Sequence, residues 1–376
     1  MSKGGDERRT SLWRDAAFVK LWSAETVSVF GSQVTLLAMP LAAVLVLDAS
    51  PFEVGLLTSL EMLPFLLVGL PAGVWVDRMR RRPVLAYGDL GRALALASIP
   101  LAYAFDVLTM WQLYTVVLVT GVLTVFFDVA YQSYLPVLVE RDRLVEGNAK
   151  LETSRAGAQL GGPAAAGWLV SLVGAPAAIA VDAASFVGSA ALVMTIRKEE
   201  AKPARRSDAE GSASGSMRRE IAEGLRYVLG HPHLRAIAAC TATSNLFDSM
   251  VHAVFVVYAV RSLDLSAATI GMVFGLGNVG YMLAAVAVGR VNRRFRLGPT
   301  IVTSVLVWAP GAFLIVLAPR GLAVPFFVGA FFLGAFGSVL YNVSQVSYRQ
   351  AITPDDMLGR MNATMRFVVW GTMPIG

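Results

Sequence analysis

The sequence predicts an all-α polytopic membrane protein of two six-helix halves related by a parallel repeat. Three observations predict it. Long apolar runs recur along the whole chain, basic residues gather in alternate loops, and the first half can be laid over the second by a nearly constant shift.

Apolar residues make up 56% of the chain and charged residues 15%, against about 45–50% and about 25% in an ordinary soluble domain. Eleven apolar runs can be read, at 18–47, 52–76, 83–105, 108–130, 151–173, 175–196, 233–260, 266–289, 298–318, 322–343 and 361–376. Each approaches or exceeds the ~20 residues that a helix needs to cross the ~30 Å hydrocarbon layer. Barrel strands would instead show alternating segments of ~10 residues. Inside a bilayer every backbone group must be satisfied within the protein, so the runs are expected to be helices.

The net charge of +6 is distributed by loop. One set of loops carries Arg8, Arg9, Arg14, Lys20, Arg78 to Arg82, Arg141, Arg143, Lys150, the stretch from Arg197 to Arg235, and Arg290 to Arg296. The alternate set carries Arg261 and Arg320. That asymmetry predicts a cytoplasmic N-terminus and central loop, and it argues against nucleic acid as the partner. The polar start leads into a run too long for a signal peptide and without a small-residue cleavage site, so it should remain as the first span. Arginine outnumbers lysine and alanine is abundant, which points to a GC-rich bacterium and hence its cytoplasmic (inner) membrane. The lone Cys240 excludes an intrachain disulfide and a cysteine metal cluster.

A shift of 216 places Leu47, Asp48, Ser50 and Gly55 on Leu263, Asp264, Ser266 and Gly271, and carries Gly73, Arg78, Arg80 and Pro83 onto Gly289, Arg294, Arg296 and Pro299. A shift of 214 places Thr124, Asp128, Ser133 and Tyr134 on Ser338, Asn342, Ser347 and Tyr348. These matches include Asp, Ser, Pro, Gly and Arg at run ends, which shared apolarity does not explain. They divide the chain into an N-terminal bundle (1–196, helices 1–6), a linker with an amphipathic helix (197–232) and a C-terminal bundle (233–376, helices 7–11). Gly376 falls on Gly162, mid-way through the fifth run, so the second half is expected to stop within helix 11, with helix 12 absent.

Residues 199–216 are small, polar and charged and predict a flexible linker. Beyond it Ile221, Leu225, Val228 and Leu229 recur at helical spacing beside Arg218, Arg219, Glu223 and Arg226, predicting a helix on the membrane surface.

Polar residues are expensive within a span and normally face a cavity or one another. Glu25, Ser28, Ser32 and Thr35 share one face of the first span. In the seventh, Thr241, Ser244 or Asn245, Asp248 and His252 do likewise. The fourth carries Thr124, Asp128 and Tyr131, which the shift of 214 sets on Ser338, Asn342 and Gln345 of the tenth. Four matched stripes, two per half, predict a polar cavity between the halves; hydrogen bonding between helices of one half is the structural alternative. Glu25, Asp128 and Asp248 are the candidate proton carriers, unless Arg155 of the fifth span neutralises Asp128. Glu61 precedes Pro64 in the second span, Asp182 lies in the sixth, and Asp89 and Arg92 can neutralise each other at i and i+3. His252 reads as a packing residue.

The chain holds no phosphate loop, no His-Glu-x-x-His and no Gly-x-Ser-x-Gly elbow. No enzyme activity, metal or cofactor is therefore expected, and an ion gradient is the simplest energy source.

Gly73, Asp77, Arg78, Arg81 and Arg82, between the second and third spans, resemble the signature loop of the major facilitator superfamily, Gly-x-x-x-Asp-Arg-x-Gly-Arg-Arg. Arg80 stands at the second Gly, and Arg293 replaces the Asp in the second-half copy. The resemblance implies that Asp77 and Arg78 form a cytoplasmic gate. Gly162, Pro163 and Gly167 resemble the fifth-helix motif of drug/proton antiporters, with Ala166 in place of one Gly. The segment from Tyr134 to Leu144, Asn148-Ala149, and Glu223 to Val228 are similar to bacterial siderophore and macrolide exporters. Together these imply a monomeric secondary transporter that exports a small molecule in exchange for protons across the lipid bilayer. An importer and a non-transporting membrane sensor are the alternatives.

Overall fold

A computed structural model describes residues 12–77, 79–140, 143–198, 200, 213–354 and 357–375. Among these residues there are helices and no strands. In the first half they are α1 (Ala16–Val46), α2 (Pro51–Leu67), α3 (Gly69–Asp77), α4 (Arg81–Ala104), α5 (Met110–Leu138), α6 (Leu144–Val173) and α7 (Ala175–Met194). The second half has α8 (Ala213–Gly230), α9 (Pro232–Arg261), α10 (Ala267–Gly277), α11 (Val279–Phe295), α12 (Leu297–Val316), α13 (Ala323–Ile352) and α14 (Leu358–Trp370). Eight spans are long and apolar enough to cross a membrane, with α10 and α11 counted as one. Three of the eleven expected runs fall short of that measure. The second is split into α2 and α3 at Val68, α6 is diluted by Gln159, Pro163 and glycines, and α14 has only 13 residues.

The duplication is visible in the backbone. Asp48 and Asp264, related by the shift of 216, both take a left-handed conformation, with φ of 51° and 52°, which Asp tolerates better than most residues. Two residues later Ser50 and Ser266 cap α2 and α10, each accepting a bond from the third helical N–H, of Glu53 and Thr269 respectively. Glu53 completes a capping box by accepting from the Ser50 N–H at 2.7 Å.

The copies diverge where the signature loop turns. Arg80 has φ of −73° and ψ of 128°, extended backbone that needs no glycine. Its counterpart Arg296 has φ of 62° and ψ of 162°, a region populated almost exclusively by Gly. Arg296→Gly should therefore raise second-half stability by about 1–2 kcal/mol, read as a higher unfolding midpoint in detergent, whereas Arg80→Gly should not.

The apolar cores lie unequally along the molecule. At the end opposite the N-terminus one cluster crosses both halves, from Leu37, Leu41 and Val170 to Phe255, Val256, Ile270 and Phe327. At the N-terminal end there are two clusters. One, around Phe18, Tyr134 and Leu138, belongs to the first half; the other, around Val228, Leu234, Met361 and Met365, belongs to the second. The apolar core is thus shared between the halves at the far end and separate in each half at the near end.

The amphipathic helix has protein neighbours. α8 packs on α14 and α9. Val228 is fully buried, Gly224 lies against Thr364 and Arg360, and Glu223 pairs with Arg360 at 2.9 Å. The flexible linker expected at 199–216 lies largely outside the described residues.

Candidate functional site

The first-half polar stripes converge. Arg155 of α6 donates through Nη2 (2.7 Å) and Nε (3.2 Å) to Glu25 Oε1 on α1, and its guanidinium lies 5.3 Å from the Tyr131 ring of α5. Glu25 is only 3% exposed, and a buried carboxylate in a span is tolerable when so paired. The partner of Arg155 is thus Glu25, not Asp128. Two features select it: α1 packs closely on α6, with Gly162 seated against Gln33, and the i+3 step from Asp128 to Tyr131 brings the ring beneath the guanidinium. Asp128 is half-buried and has no ion-pair partner among the described residues. Ser28 is buried, whereas Ser32 and Thr124 are half-buried.

Behind this face lies a second polar layer. Arg92 of α4 pairs with Asp89, is sandwiched between the Phe127 and Phe186 rings at 4.3 and 4.2 Å, and reaches Thr124 Oγ1 at 3.4 Å. The two residues do neutralise each other. Asp182 of α7 accepts hydrogen bonds from Thr35 and, at 3.0 Å, from Ser185. Glu61 on α2 is half-buried, with no partner of its own among the described residues.

The second-half stripes carry uncharged pairs. Thr241 bonds the Tyr341 hydroxyl at 2.7 Å, Asn245 donates to the Val369 carbonyl at 3.1 Å, and Gln345 donates to Asn342 at 3.0 Å. Asp248 lies 3.8 Å from His252, whose ring stacks on Phe274. Ser244, Asp248, His252 and Ser338 line a cavity of about 340 Å³ with Phe247, Tyr281 and Trp308. The first half explains this space. Gly31, Thr35 and Arg92, the counterparts of Phe247, Val251 and Trp308, are covered there by Asp182, Ser185 and Phe186 of α7. Among the described residues the second half has no helix in that position, so the cavity alone does not define a ligand site.

The gate residues divide similarly. α3 contains Gly73 and ends at Asp77, while Arg78 lies outside the described residues. Arg81 and Arg82 open α4, and both backbone N–H groups donate at 2.7 Å to the Glu200 carboxylate. Gly162, Pro163 and Gly167 lie on the α6 face that meets α1 and α10. A Cβ on Gly167 would sit 2.3 Å from the Ala267 carbonyl oxygen, and one on Gly271 would sit 2.2 Å from that of Pro163. Such close approach of small residues is how membrane helices pack.

Contacts between halves that the sequence reading missed reinforce this seam. Asn278 Nδ2 donates to the Gln159 carbonyl at 2.6 Å, the Ala268 N–H donates to Ser171 Oγ at 2.9 Å, and Arg261 pairs with Asp48 at the far end. Asn278 was detectable as a costly polar residue in an apolar run; the Asp48–Arg261 pair joins residues with no sequence relationship.

A match to the family model "Major Facilitator Superfamily" runs over residues 21–376. The chain belongs to that superfamily. Similar major facilitators include the multidrug efflux pump Tap of Mycolicibacterium fortuitum, 26% identical over 98% of this chain and 88% of that protein. Macrolide efflux protein A of Streptococcus pyogenes is 23% identical over 96% and 87%. Among solved structures, a bacterial homologue of the iron transporter ferroportin is 17% identical. In its inward-facing state it superposes with a TM-score of 0.68 over 97% of this chain and 91% of that one; in its outward-facing state the score is 0.55, over 96% and 90%. The higher of the two scores is with the inward-facing form.

Proposed function

We propose that this major facilitator is a monomeric secondary exporter of small drug-, antibiotic- or siderophore-like molecules, running as a proton antiporter in a bacterial cytoplasmic membrane with its N-terminus inside. The excess of Lys and Arg at the N-terminal end supports that orientation. On this reading the structure is sealed toward the outside and open toward the cytoplasm, where cargo is loaded. Transport follows when the halves rock about a central site.

The observation that carries the proton assignment is the state of the intramembrane carboxylates of the first half. Glu25 and Asp89 are each ion-paired with an arginine, while half-buried Asp128 has no ion pair of its own among the described residues. An uncompensated charge inside a span is costly, which favours exchange of a proton there for cationic cargo. Glu25, Ser28, Ser32, Thr124, Asp128 and Tyr131 would face Thr241, Ser244, Asn245, Asp248, Ser338, Asn342 and Gln345 across the cavity. The loop of Gly73, Asp77, Arg78, Arg81 and Arg82 would gate the cytoplasmic side, and Gly162, Pro163 and Gly167 the outer side. The names of the efflux relatives support export.

Everted vesicles containing the protein should accumulate at least one dye, macrolide or siderophore when acidified inside, and a protonophore should abolish the uptake. Uptake only in right-side-out vesicles would establish an importer, and no gradient-dependent flux of any compound would favour a sensor.

A further inference from the structure

A second feature lies beside the signature loop. Where α4 begins and α7 ends, at the N-terminal end of the bundle, Arg80, Arg82, Arg197, Lys198, Glu200 and Tyr87 line a cavity of about 620 Å³. Four cations and one carboxylate give its wall a surplus of three positive charges. Two of the cations are anchored. Arg82 donates to the Met194 carbonyl, and Lys198 Nζ donates to the Leu138 carbonyl at 2.6 Å. The Glu200 carboxylate is spent on the Arg81 and Arg82 N–H groups. Arg80 and Arg197 are exposed, with no partner among the described residues. Tyr87, nearly two turns into α4, is 67% exposed, in the position that interfacial aromatic residues take at headgroup level.

The setting determines the ligand. The cavity opens where two apolar spans meet water, so a molecule in it has headgroup depth whichever way the protein is inserted. Its floor of Pro83, Ala86 and Met194 is apolar, suited to the glycerol and first methylenes of a lipid. The guanidiniums of Arg80 and Arg197 offer forked donors suited to phosphate oxygens. We propose that this cavity binds the phosphate headgroup of an anionic phospholipid.

The test uses the full-length protein in native mass spectrometry, from mixed micelles containing phosphatidylglycerol and phosphatidylcholine. Phosphatidylglycerol should be retained in preference, and Arg80→Gln/Arg197→Gln should weaken that retention about 10- to 30-fold. Arg290→Gln/Arg293→Gln, which removes the same charge from the end of α11 in the second half, should leave it within about twofold. Both double variants change exposed side chains, and unaltered unfolding midpoints will show that they fold. Equal loss in both would mean diffuse attraction to basic loops and would overturn the site. So would equal retention of the two lipids, or displacement of phosphatidylglycerol by millimolar inorganic phosphate, which would assign the cavity to a free anion.

Discussion

Gly271→Ala should open the far end of the molecule, opposite the N-terminus. The new Cβ would lie 2.2 Å from the Pro163 carbonyl oxygen and within 3.0 Å of Gly167 backbone atoms. No rotamer can relieve a contact with backbone, so α6 and α10 must separate. Overpacking of this kind costs about 1–3 kcal/mol, enough to move a two-state equilibrium by roughly one to two decades. Gly167→Ala should act alike, because its Cβ would meet the Ala267 carbonyl. With Cys240 replaced by Ala, spin labels at the far ends of α6 and α10 should report a longer distance, and net transport should fall at least tenfold. Gly157→Ala, in the same helix with open space around it, is the control. Unchanged distances in both seam variants would show that these glycines do not hold the far end closed.

The second large effect is expected at Arg155. Its removal leaves Glu25, at 3% exposure, without its cation. Breaking a fully buried pair from one side costs about 3–5 kcal/mol; the Arg155 side chain is 37% exposed, so solvent screening reduces the cost here, and removing both partners costs less still. Arg155→Ala should accordingly lower the unfolding midpoint and the folded yield sharply, and adding Glu25→Gln should restore most of both. A double-mutant cycle isolates the coupling; additive losses would mean that the two side chains do not depend on each other.

The architecture was legible in the sequence because it rests on local periodicity and on a duplication that kept its cap and turn residues. Asp48 and Asp264 have the same unusual backbone, and Ser50 and Ser266 the same capping role. Pairings between helices were less legible, since a shift aligns equivalent residues but does not say which face meets which neighbour. Arg155 lies at the depth of both Glu25 and Asp128, and only the packing of α1 on α6 selects Glu25. The same limit hid Thr35 bonding to Asp182, and the docking of α8 on α14 through Val228 and Gly224. Asp248 matched Ser32 in register, yet its surroundings depend on a helix position that, among the described residues, α7 fills in the first half alone.

Proton coupling through Asp128 is tested most directly in proteoliposomes by comparing two modes of transport of one cargo. Asp128→Asn should abolish accumulation driven by a pH gradient while retaining cargo-for-cargo counterflow at near wild-type rate, because counterflow needs the site and the rocking halves but no net proton movement. Gradient-driven accumulation by Asp128→Asn equal to that of the wild type would contradict the account.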